Sequence, residues 1–198
     1  MEPNPTPYLR AMQFSEMDSE INPQLVGEWQ LRDAEKQLPS NLFMQIKDSG
    51  EVYEGTRDID VALIEGGRKL RVGVESSPHH SIFEREGNGL GGYEGVWQMW
   101  AEDRRKLLEE EQWRADGRYI ALFDGNDFAF TGKFKVENDR LTSYELTYCL
   151  SPIADEIFQL FCLTGGVFTC TWHVADGKMH LVDEVGKETV WEKVEPWF

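Results

Sequence analysis

The sequence predicts an all-β protein, an antiparallel up-and-down β-barrel with an N-terminal arm and one inserted helix. Three observations carry this expectation. Short stretches of alternating apolar and polar residues recur from residue 25 to residue 194, and a period of two marks a strand with one buried face. Turn signals separate them, among them Asp48-Ser49-Gly50, Glu65-Gly66-Gly67, Asp124-Gly125-Asn126, Ala175-Asp176-Gly177 and Val185-Gly186-Lys187. One internal stretch, residues 101–116, breaks the pattern with strong helix formers and no glycine or proline. Many short strands with hairpin turns suggest a sandwich or a barrel, and successive hairpins favour the up-and-down barrel.

Residues 1–24 form the predicted arm. Tyr8, Leu9, Met12 and Met17 stand at near-helical spacing there, which suits a short amphipathic lid or packing arm. The barrel proper is expected over residues 25–198. Its first strand is Val26-Gly27-Glu28-Trp29-Gln30-Leu31, with Trp29 and Leu31 on one face and Trp29 expected as a plug of the closed end. Strands at 42–46, 51–56, 58–63, 69–74, 81–84 and 95–100 follow, then the helix over 101–116. In that helix Arg105 and Glu109 pair at i,i+4, and Leu107, Leu108 and Trp113 give an apolar stripe. Strands resume at 118–123, 127–136 and 141–150. Residues 151–161 read as strand or short helix. Strands at 167–174, 178–183 and 188–194 close the chain. Gly27-Glu28-Trp29-Gln30 is echoed by Gly95-Val96-Trp97-Gln98, four residues that by themselves establish no duplication.

Composition narrows the function. The chain has 198 residues, 40% hydrophobic and 28% charged, enough for a core and unlike a disordered chain. Its formal net charge of −16 repels phosphate backbones and anionic lipid, so neither nucleic acid nor a membrane is the expected partner. The sequence has no run of ~18 apolar residues to span a bilayer. Met1 to Tyr8 carries no basic patch before an apolar stretch, so no secretory signal is read and a cytoplasmic location is expected. Cys149, Cys162 and Cys170 match no zinc or redox spacing and read as buried thiols. A homodimer is compatible with the sequence.

Gly27-Glu28-Trp29 at the first strand resembles the Gly-x-Trp opening of the lipocalin-like (calycin) barrels. The stretch from Phe128 to Leu141, FAFTGKFKVENDRL, and the ending from Trp172 to Val194 resemble the later hairpins of lipocalin-like domains. The resemblance implies a closed barrel with a hydrophobic small molecule inside. It also implies two kinds of activity known in such barrels: carriage, and cyclisation or isomerisation in natural-product pathways. The helical insert and the arm depart from a plain member.

Alternation assigns the inward aromatics. Phe128, Phe130 and Phe134 share a face, as do Tyr144 and Tyr148, and Phe168 and Trp172. These seven are the expected ligand-binding residues, because aromatic walls bury apolar area and leave polar tips for orientation; equally, they can fill a solid core. Catalytic candidates are fewer. His173 and His180 fall on neighbouring strands and can meet across a hairpin, where an imidazole acts as base or as an exterior residue. Asp33 and Glu35 end the first strand, and Asp124 flanks a turn; a carboxylate beside an aromatic pocket can become an acid. His79-His80 would point to opposite faces if on a strand, and Pro78 suggests a turn instead, so no metal site is expected there. Gly87 to Gly92 lacks the Lys-Ser/Thr of a phosphate loop. No metal or other cofactor is called for. Three functions follow: a binder of a small, largely apolar molecule, a cofactor-independent cyclase or isomerase using the same cavity, and an interaction module with a filled core.

Overall fold

The computed structural model describes residues 20–32, 39–87, 91–123, 128–163 and 165–196, and the backbone alone of Pro39, Phe128 and Ala129. Among the described residues the chain is all-β, with fourteen strands in one antiparallel sheet that closes in a ring. The strands are β1 (Gly27–Arg32), β2 (Pro39–Ile46), β3 (Glu51–Ile64), β4 (Lys69–Val72), β5 (Ser81–Arg85), β6 (Gly95–Trp100) and β7 (Leu107–Trp113). They continue as β8 (Arg118–Phe123), β9 (Phe128–Glu137), β10 (Arg140–Ala154), β11 (Ile157–Cys162), β12 (Val167–Ala175), β13 (Lys178–Val182) and β14 (Glu188–Val194). Each strand pairs with its successor, β14 returns to β1, and β3 also pairs with β10. That last pairing completes two circuits. One contains β1, β2, β3 and β10 to β14; the other runs from β3 through β10. A ring leaves no unpaired strand edge, which removes the usual route to edge-to-edge aggregation.

The expected helix over 101–116 is not seen. Residues 107–113 are β7, paired with β6 through Trp97↔Glu111 and with β8 through Glu111↔Ala121. The local helix preference of Leu-Leu-Glu-Glu-Glu-Gln-Trp is a few tenths of a kcal/mol per residue, and two ladders of backbone hydrogen bonds override it. The segment read as strand or short helix at 151–161 is strand on both sides of a turn at Asp155-Glu156, where Glu156 has φ 62°. The two strands expected over 51–63 are one. The amphipathic segment with Tyr8, Leu9, Met12 and Met17 lies outside the described residues, as do Asp33, Glu35 and Asp124. No helix among the described residues is long and apolar enough to cross a membrane.

The chain divides into two compact units, residues 1–55 with 146–198, and residues 56–145. The first has a core of Leu25, Trp29, Met44, Val52, Phe158, Trp172, Met179 and Trp191. The second packs Val61, Leu70, Phe83, Trp97, Trp113, Tyr119, Phe134 and Leu141. Cys149 and Cys170 are buried and Cys162 is partly buried, and none of the three is in a disulfide.

The tetrapeptide echo corresponds to one local structure formed twice. Trp29 and Trp97 are both fully buried. The indole N–H of Trp29 donates to the Leu25 carbonyl at 2.9 Å, and that of Trp97 to the Tyr93 carbonyl at 2.8 Å, in each case four residues upstream. A cation from the directly paired strand residue covers each ring: Lys193 Nζ lies 5.4 Å from the Trp29 centroid and the Arg85 guanidinium 4.1 Å from that of Trp97. Gly27 (φ 140°) and Gly95 (φ 146°) stand two residues before each Trp. A Cβ at Gly95 would come within 2.7 Å of Arg85 Nη1, and one at Gly27 within 3.0 Å of Lys193 Cε. The Gly-x-Trp spacing thus has a steric cause: the strand turns at a glycine conformation so that a basic side chain can lie flat over the indole.

Candidate functional site

The site is built on four adjacent strands of the unit formed by residues 56–145. Across them one row runs in register: Trp113 on β7 opposite Tyr119 on β8, Tyr119 opposite Gly132 on β9, and Gly132 opposite Glu145 on β10. Gly132 explains the row. A Cβ there would sit 2.4 Å from Tyr119 Cε1 and 2.6 Å from Cζ. The tyrosine ring therefore lies over the bare backbone of Gly132, and its hydroxyl reaches across a strand to donate to the Glu145 carboxylate. Ala121, also buried, keeps the neighbouring row small opposite Glu111. Two small residues thus leave room that larger ones would fill.

On β7, alternation puts Glu109, Glu111 and Trp113 on one face. The Trp113 indole N–H donates to Glu111 Oε2, and Glu111 is hydrogen-bonded to Glu109. Burial, then the adjacent Glu109, pushes the Glu111 carboxyl up to about 8. Burial also raises Glu109 and Glu145, and holds the Tyr119 hydroxyl well above its ordinary range. Two partly buried carboxyls in hydrogen-bond contact do not both ionise readily, so the pair holds one proton, with Glu111 the more strongly raised of the two. The Glu111 acid then donates to Glu109 and accepts from Trp113.

These groups line a cavity of about 220 Å³ with Thr56, Val72, Ser81, Phe83, Phe134, Leu141 and Ser143. Its aromatic wall is a packed cluster: the Trp113 and Phe134 ring centroids are 4.5 Å apart, and those of Tyr119 and Phe134 6.3 Å. The volume falls below the ~300–1,000 Å³ of drug-sized sites, so only a compact guest fits. No Lys, Arg or His is among the lining residues, and no group of three metal-ligating side chains occurs among the described residues. The arrangement can bury a small ring and accept hydrogen bonds at Glu109 and Glu145, and Glu111 can donate to a guest by exchanging its bond to Glu109.

A larger depression of about 460 Å³ belongs to the other unit and is lined by Ile21, Leu25, Phe158 and Trp172, with Glu20, Asp155 and Glu156. Those three acids and Asp48, which also lines it, are exposed, so water screens their charge and the depression holds no desolvated acid or base.

The residues expected from sequence are distributed between the units. Phe134 lines the 220 Å³ cavity, and Phe130 packs edge-on against Phe123 at 5.6 Å. Tyr144 is fully buried on the face of β10 opposite Ser143 and Glu145, with Lys133 Nζ 5.3 Å from its ring centroid. Tyr148 and Phe168 meet edge to face at 6.3 Å in the other unit, where Phe168 is 49% exposed and Trp172 lines the larger depression. The side chain of Phe128 lies outside the described residues. His173 and His180 are directly paired across β12 and β13, and their rings stack 4.4 Å apart at 9°. His180 Nδ1 lies 2.8 Å from Glu188 Oε1, while His173 is exposed. That pair lines neither cavity.

Sequence reasoning passed over Glu109, Glu111, Tyr119, Ser143 and Glu145. For the first two the sequence holds no signal, since Leu-Leu-Glu-Glu-Glu-Gln-Trp shows no apolar–polar alternation and its composition favours helix. Glu145 was concealed differently: both faces of β10 are buried at Leu141 and Thr142, so alternation there selects neither face. Comparison with protein-family models, curated proteins and solved structures finds no match.

Proposed function

We propose that the cavity within residues 56–145 binds a small molecule whose body is largely apolar and whose polar end meets the carboxyl groups of β7 and β10. One observation carries the reading: a cavity of about 220 Å³ that joins an aromatic wall, Trp113, Phe134 and Phe83, to the three acids Glu109, Glu111 and Glu145. A filled core has no reason to draw three carboxyls partly out of water, which costs free energy unless compensated. A binding site has such a reason, because groups kept from water interact strongly with a guest. The lipocalin-like resemblance at Gly27-Glu28-Trp29 points the same way.

The test fills the space. With 2-phenylethanol as probe, wild-type protein is expected to show saturable binding by calorimetry. Ser143→Leu, which places a larger apolar side chain in the cavity, is expected to weaken binding on the order of tenfold while near-ultraviolet circular dichroism stays native. Equal affinity in the two proteins would place the guest elsewhere and end this reading.

A second reading, cofactor-independent isomerisation or cyclisation in the same cavity, is favoured by the proton shared between Glu109 and Glu111. An acid held protonated beside a carboxylate supplies both halves of a proton shift: Glu111 donates to one atom of the guest while Glu109 accepts from another. No metal or redox group enters such a step.

A further inference from the structure

The cavity also selects the charge of its guest. Its walls bring together Glu109, Glu111 and Glu145 and include no Lys, Arg or His. With one proton on Glu111, Glu109 and Glu145 remain as acceptors. Glu109 is satisfied by the Glu111 acid and Glu145 by the Tyr119 hydroxyl, both neutral donors. Neutral donors orient a carboxylate without bringing a positive charge to it. Trp113, Phe83 and Phe134 share the lining with these acids, and aromatic ring faces attract cations. The sequence-level expectation of a merely apolar guest does not account for that polarity. An anionic guest such as a fatty acid would bring a further negative charge into a desolvated acidic space.

We propose that the ligand is a compact amine, its ammonium group set between Glu109 and Glu145 and its hydrocarbon body against Trp113, Phe134 and Phe83. The proposal rests on the reading of this cavity as a ligand site and adds the chemical class. An ammonium supplies up to three donors and one positive charge, which matches two carboxylates better than any neutral hydroxyl does. The chain's net charge of −16 adds a long-range field that draws cations toward the protein and keeps anions away.

A charge series of one shape tests this: 2-phenylethylammonium, 2-phenylethanol and 3-phenylpropanoate, titrated calorimetrically into the full chain at low salt. The ammonium is expected to bind about tenfold more tightly than the alcohol, and the carboxylate not to saturate. Glu109→Gln and Glu145→Gln are each expected to weaken the ammonium about five- to tenfold and to leave the alcohol within about twofold. Glu110→Gln removes the same charge from the opposite face of β7, where Glu110 accepts from Gln98 Nε2 at 3.0 Å, and is expected to change neither. The wild-type series decides even where a variant fails to fold. Alcohol binding as tight as ammonium binding overturns the amine and leaves the cavity as a binding site. Failure of all three probes to bind overturns both.

Discussion

Gly132→Ala is expected to destabilise the protein by about 3 kcal/mol or more and to detach Tyr119 from Glu145. The new methyl carbon would sit 2.4 Å from both Tyr119 Cε1 and the Tyr144 carbonyl oxygen. The carbonyl belongs to the backbone of a paired strand and cannot retreat without breaking the β9–β10 ladder. Overpacking of this kind costs ~1–3 kcal/mol, and the displaced tyrosine leaves Glu145 without its donor, a further ~1–3 kcal/mol. Tyr119→Phe separates the two terms, because it keeps the ring over Gly132 and removes only the hydroxyl. It is expected to lose about half as much. Urea unfolding of the three proteins measures this, and a Gly132→Ala midpoint equal to that of wild type would mean that the row Trp113, Tyr119, Gly132, Glu145 is not packed as described.

The second large effect is on pH dependence. Glu111 is raised to about 8 from an ordinary carboxyl value of 4.5. A folded value above the unfolded one means that the native state binds the proton more tightly. The associated stability is fully present below the unfolded value, about pH 4.5, and is lost as pH rises through about 8. The titratable groups facing Glu111 are Glu109 on its own strand, Tyr119 on β8 and Glu145 on β10; β3, β4, β5 and β9 present Thr56, Val72, Ser81, Phe83 and Phe134. None is a cation that would reverse the sign. Wild type is therefore expected to lose on the order of a few kcal/mol between pH 5 and pH 8.5 through this group. Glu111→Gln keeps the shape without the titration. It is expected to be the more stable protein at pH 8.5, with its advantage shrinking or reversing by pH 5. General charge repulsion affects both proteins, so the difference between their unfolding curves isolates Glu111. Parallel curves across that range would contradict the desolvated acid.

The all-β class was legible because Phe130, Phe134, Phe168 and Trp172 keep a period of two over long strands, and because Gly-bearing turns separate them. Residues 101–116 were misread for a definite reason. Glutamate, leucine and arginine favour helix locally, and no pattern within that stretch records the strands that will pair with it. The pairing of β3 with β10 was hidden too, since it joins residues some ninety positions apart and leaves no local mark. The acids of the site were invisible on the same account: Glu109 reads as the i,i+4 partner of Arg105 on the expected helix, while Glu145 sits in a strand with buried residues on both faces. Gly132 alternates with Phe130 and Phe134, and that alternation gives no sign that its lack of a side chain lets Tyr119 reach Glu145. The Gly-x-Trp echo was the reverse case, a weak sequence signal behind which stands one repeated arrangement of glycine, indole and cation.

The most direct test of a hollow, guest-accepting interior in residues 56–145 is a ¹H–¹⁵N spectrum of the seven tryptophan indoles during titration with 2-phenylethylammonium. The Trp113 indole N–H, bonded to Glu111, should shift progressively and saturate, while those of Trp29, Trp172 and Trp191 in the other unit stay in place. A Trp113 resonance that never moves, or a shift confined to Trp172 beside the larger depression, would contradict the account.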